Sequence, residues 1–155
     1  TLASLKTARM VINDASVGGQ STAGLTTHEG VLEVKGKIVP GRGMPGFVSM
    51  VLVLSETGEP QDLSAYEGLR LKVRVNKGNL QVLAASSEIQ NFDYHAAAIT
   101  RSKEFKEIKI PFTDLKRLWS EQTALDLSTI VSINLVASGM QPRSFAYEID
   151  EIGFY

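Results

Sequence analysis

The sequence predicts an all-β fold, a two-sheet antiparallel sandwich of jelly-roll type, and three observations carry that prediction. Apolar and polar residues alternate with a period of two along much of the chain. Clusters of Gly, Pro, Asn and Asp interrupt the alternation about every eight to twelve residues. Helical spacing occurs in one short stretch only, 113–119, so a parallel α/β fold lacks the helices it would need. The 155 residues suit a single domain spanning 1–155, and the 43% hydrophobic and 21% charged composition is that of a folded globular protein.

Taken in order, strands are expected near 8–12, 31–39, 47–54, 69–75, 79–86, 93–100, 104–110, 130–137 and 144–155. The clearest is Leu69, Leu71, Val73 and Val75 alternating with Arg70, Lys72 and Arg74, which puts the apolar side chains on one face and the cations on the other. Phe47 to Leu54 is nearly all apolar and reads as an interior strand. Leu69, Leu71, Val73, Phe47, Ile108, Ile110, Ile133 and Leu135 are expected to face the space between the sheets. The helix over 113–119 rests on Thr113 as N-cap, Asp114 in the first turn, and Leu115, Leu118 and Trp119 on one apolar face. Asp62-Leu63-Ser64 and Asp126-Leu127-Ser128 form an internal echo, read as matched turns that lead into strands. Asp150 and Glu151 interrupt the last strand's alternation, which predicts a bulge.

Composition excludes several functions. Sixteen Lys plus Arg against 17 Asp plus Glu give a charge of −1, so no basic field recruits nucleic acid. The longest apolar runs fall well short of the roughly 20 residues of a spanning helix, so no membrane insertion is expected. Without Cys there is no disulfide framework, thiolate nucleophile or Cys-based zinc site, and the compartment is left open. The chain begins at Thr1 with no basic-then-apolar leader, and excision from a longer chain is the expectation. Two His, no Gly-x-Ser-x-Gly elbow and no phosphate loop argue against an enzyme. No catalytic residue and no cofactor are assigned. The hard oxygens of Asp150 and Glu151 would suit a structural Ca²⁺, but no Asp-x-Asp-x-Asp loop accompanies them and no metal site is assigned.

A set of motifs then falls in a telling order. Asn13-Asp14-Ala15-Ser16-Val17-Gly18-Gly19-Gln20-Ser21 resembles the Asn-Asp-Gly-Val-Met-Gly-Gly-x-Ser signature of the complex I intermediate-associated protein 30 family, which is related to family 11 carbohydrate-binding modules. Gly46-Phe47-Val48-Ser49, the segment Asp62 to Val73, Ile110-Pro111-Phe112-Thr113-Asp114-Leu115 and Tyr147 to Ile152 resemble the family's later motifs. The chain departs from the pattern at Ala15-Ser16-Val17, and where the family often has Trp before the first signature it has Arg9-Met10-Val11-Ile12. The resemblance implies a galactose-binding-like jelly roll and a role like that of the family's members: an assembly factor for respiratory complex I, or an accessory domain beside an enzyme.

Two regions are candidate sites. The small polar loop Asn13, Asp14, Gly18, Gly19, Gln20 and Ser21 has a structural reading, with a positive φ at Gly18 or Gly19 and Asp14 accepting backbone hydrogen bonds, and a recognition reading, with Asp14 and Gln20 facing solvent. The structural reading is the expectation. Asp93, Tyr94 and His95, beside the small Ala96, Ala97 and Ala98, are the candidate ligand-binding residues of a concave sheet face. Trp119 is expected in the core, and Arg70, Lys72 and Arg74 on a solvated face. The whole predicts a non-catalytic module whose partner is a protein or a neighbouring domain of its parent chain. The alternative is a carbohydrate-binding module.

Overall fold

The computed structural model describes Ala3–Ser4 and residues 9–155, and these form two antiparallel sheets packed face to face. The strands are β1 (Ala3–Ser4), β2 (Arg9–Asn13), β3 (Thr22–His28), β4 (Val31–Ile38), β5 (Gly46–Val53), β6 (Gly68–Lys77), β7 (Leu80–Ser86), β8 (His95–Ile99), β9 (Lys106–Pro111), β10 (Ile130–Gly139) and β11 (Arg143–Phe154). One sheet runs β3-β4-β11-β6-β9, with β1 beside the end of β11, and the other runs β2-β5-β10-β7-β8.

The period-two pattern decides which side chains fill the core. Leu69, Leu71, Val73 and Val75 of β6 are buried, and opposite them stand Val48, Met50 and Leu52 of β5 with Ile133 and Leu135 of β10. Phe47, expected between the sheets, does not face them. The inward parity of β5 belongs to Val48, Met50 and Leu52, so Phe47 lies half-buried on the outer face, across from Ser138. The cations on the other side of β6 are paired rather than merely solvated: Arg70 bonds Glu107 and Glu151, Lys72 meets Asp150 at 3.3 Å, and Arg74 bonds Glu148. The register of β11 against β6 shifts between Ile149 and Glu151, the bulge that the sequence predicts.

The echoed turns fold alike and lie together. The carboxylates of Asp62 and Asp126 accept the backbone N–H of Ser64 at 2.9 Å and Ser128 at 3.0 Å, and Leu63 donates to the Leu127 carbonyl. The helix expected over 113–119 is instead a single 3-10 turn, Phe112–Asp114, which no side chain caps. Its continuation is lost because Lys116 pairs its backbone with Ala96 at the edge of β8 in both directions, at 2.9 Å. The Asp93 carboxylate then takes the amides of residues 118 to 120.

Candidate functional site

Two buried aspartates organise the loops. Asp14 follows β2 and has no exposed surface. Its carboxylate accepts the Ser21 N–H at 3.1 Å, the Ser21 hydroxyl at 2.5 Å and the Phe47 N–H at 3.0 Å, while the Ser21 hydroxyl oxygen accepts the Val39 N–H at 2.9 Å. Asn13 caps the 3-10 turn Asp14–Val17 by accepting the Ala15 N–H, and Gly18 ends the turn with a φ of +83°. A Cβ on Gly19 would stand 2.1 Å from Asp14 Cγ, so only glycine leaves room for this carboxylate. Burial pushes the Asp14 pKa up, and the hydrogen bonds from Ser21 and Phe47 outweigh it, so the group lies below the usual 3.8. Two motifs far apart in sequence, Asn13 to Ser21 and Gly46 to Ser49, therefore meet at one carboxylate.

Asp93 does the same work at the opposite edge of this sheet. Its carboxylate accepts the N–H groups of Leu118 at 2.8 Å, Trp119 at 3.0 Å and Ser120 at 2.7 Å. Burial raises its pKa, but these amides together with the Ser120 side chain lower it by more, leaving it depressed. Arg117 donates to the Asp93 carbonyl and to the Asn91 side chain, both at 3.0 Å, and Asn91 donates to the Ser120 hydroxyl at 2.8 Å. His95 is buried, and its Nε2 donates to the Thr123 carbonyl at 2.6 Å. Of the three candidate ligand residues, Asp93 and His95 thus face inward and hold loops together, and Tyr94 is half-exposed.

What these bonds hold outward is an aromatic patch. Phe92 is 76% exposed, Trp119 67% and Leu118 61%, and Phe92 meets Tyr94 edge to face with centroids 6.4 Å apart. Trp119 is therefore outside the core in which the sequence reading placed it. Phe92 sits at φ +62°, a left-handed conformation that a bulky residue rarely adopts and that costs about 1–2 kcal/mol. The residues on either side of Phe92, Asn91 and Asp93, impose it by bonding to the turn that carries Trp119. A groove of about 270 Å³ continues along the same loops, lined among others by Leu115, Lys116, Leu125 and Leu127.

Among the described residues, no three His, Asp or Glu side chains converge as a metal site. Asp150 and Glu151 are engaged by Lys72 and Arg70. No helix among the described residues is long and apolar enough to cross a membrane.

The family profile Complex I intermediate-associated protein 30 (CIA30) matches residues 3–149. The chain belongs to the Complex I intermediate-associated protein 30 family. No curated protein sequence matches it. The fold of this family member is similar to the family 11 carbohydrate-binding module of the cellulosomal cellulase Lic26A-Cel5E of Clostridium thermocellum, with a TM-score of 0.70, 16% identity, and coverage of 99% of this chain and 92% of that one. A family 11 module from Clostridium thermocellum in complex with a β-1,3-1,4-mixed-linked tetrasaccharide aligns at TM-score 0.64 and 17% identity over 95% and 86% of the two chains. A family 30 carbohydrate-binding module aligns at 0.64 and 14% over 100% and 98%. The family and the fold together support a non-enzymatic binding module.

Proposed function

We propose that the chain is a protein-binding module whose contact surface is the patch of Phe92, Tyr94, Leu118 and Trp119. The observation that carries this reading is the state of the polar groups under the rings. A sugar site sets aromatic faces among side chains with hydrogen-bonding capacity to spare for hydroxyls. Here both Asp93 oxygens, both ends of the Asn91 amide and the Arg117 guanidinium are already bonded within the protein. The surface that remains is apolar and aromatic on a braced backbone, the composition of protein-interface hot spots. The groove beyond Leu115 has the size for apolar side chains of the same partner. A protein partner also agrees with the family's name.

The test uses Trp119, the only Trp in the chain. A photo-crosslinking phenylalanine analogue at Phe92 should join the chain to one discrete protein in its native cell, and the same probe at Lys37, on the far sheet, should not. Titration with mixed-linkage glucan tetrasaccharide should leave the Trp119 emission unchanged. A saturable emission shift, with no protein captured from Phe92, would overturn this reading in favour of carbohydrate.

A further inference from the structure

The four sheet edges are not alike. β9 carries Lys106, Glu107 and Lys109, and β8 is closed at Ala96 by the backbone of Lys116. β3 is made of Thr, Ala, Gly, a single Leu and His. β2, at the end of the five-stranded sheet, is paired to β5 alone among the described residues, all five of its residues are exposed, and its centre is Met10-Val11-Ile12 with no charge, proline or bulge. Such an edge offers a free ladder of N–H and C=O groups, which natural sheets otherwise block.

We propose that β2 pairs with β2 of a second copy of this chain, antiparallel and centred on Val11. The strand is complementary to itself in that register: Val11 stands across from Val11, Met10 across from Ile12, and Arg9 across from the neutral Asn13. No like charges meet, and the apolar residues match apolar ones. The side of the sandwich at β2 is also unfinished. β4 packs over β5 and β10, so β3 and β2 are edges of the same side. Val11, in register with Met50, and Leu25, in register with Val34, point between the sheets yet are 41% and 38% exposed. A second sandwich brought up by the β2 pair covers both, and the two-fold axis makes the contact closed rather than open-ended. The result is one ten-stranded sheet with an aromatic patch at each far end, since β8 is the opposite edge.

Sedimentation of the 155-residue chain between about 1 and 500 µM should show a monomer becoming a dimer. Val11→Lys and Val11→Glu each place like charges face to face across the axis and should weaken dimerisation at least about tenfold, while an equal mixture of the two should restore it. Because the chain has no Cys, Val11→Cys with a short bis-maleimide should give a covalent dimer, and Lys37→Cys should not. The proposal is overturned by a wild type that stays monomeric, by single variants that still dimerise, by a mixture that stays monomeric, or by a Val11→Cys chain that does not cross-link.

Discussion

Replacing Asp14 by alanine removes, in one step, the acceptor of three hydrogen bonds that tie residues 14, 21 and 47 together. Two of the donors are backbone N–H groups, of Ser21 and Phe47, beside a fully buried site. Each buried donor left without a partner costs about 1–3 kcal/mol. The Ser21 hydroxyl can turn away and still accept from Val39, so its loss adds less. The expected destabilisation is about 3–5 kcal/mol, a large share of the roughly 5–15 kcal/mol that holds a domain together. At about 2–4 °C per kcal/mol for a chain of this size, the midpoint should fall by about 6–20 °C. Circular dichroism is the suitable readout, because Trp119 is already in water and its emission will change little on unfolding. A midpoint within about 2 °C of wild type would refute the argument, and partner binding lost at that unchanged midpoint would make the loop a recognition surface.

The same carboxylate predicts a pH effect. Asp14 and Asp93 both titrate lower in the folded chain than the ordinary 3.8, so their contribution to stability is present above that pH and declines as pH falls through their folded values. Acid melts should show that decline, and Asp14→Asn should flatten part of it. Leu71→Ala, at a position with no exposed surface between the sheets, should cost about 2–5 kcal/mol in a denaturant titration. Tyr147→Phe should leave the midpoint unchanged or raise it, since the Tyr147 hydroxyl is buried with no hydrogen-bond partner among the described residues. The double variant Phe92→Ala, Trp119→Ala should keep its melting midpoint within about 3 °C and lose the partner captured from the aromatic patch.

The strands with a buried apolar face were legible because the inward and outward environments impose opposite demands on alternate residues. β6 is the clearest case. β3 was missed because it is an exposed edge: Thr22-Ala23-Gly24-Leu25-Thr26-Thr27-His28 has little apolar side to bury, and it is recruited by backbone pairing with β4. The 113–119 helix failed for a related reason. Leu115, Leu118 and Trp119 have helical spacing, but a distant carboxylate, Asp93, competes for the local amides and wins. Spacing within a segment carries no record of such a partner. The aromatic patch was hidden by the same step, since a lone Trp on an apolar helix face reads as core. A positive φ at Phe92 has no sequence signature at all. The Asn13 to Ser21 loop was readable because its Gly and Asx residues have few other uses, although nothing local pointed to Phe47 as the third anchor of Asp14.

The position of β11 has a consequence for how the chain is made. It is the last strand in sequence, yet it lies inside its sheet, bonded to β4 on one side and β6 on the other, with β1 beside its end. During synthesis the ribosome releases β4 and β6 long before the strand that separates them. Until residues 143–154 emerge, each of those strands has one naked, apolar-faced edge next to a vacant slot, and a neighbouring nascent chain can fill that slot as readily as the proper segment. The sheet is therefore completed only once residues 143–154 have left the ribosome. A nascent chain halted before residue 143 would keep both of those edges open and, by this geometry, be primed to aggregate.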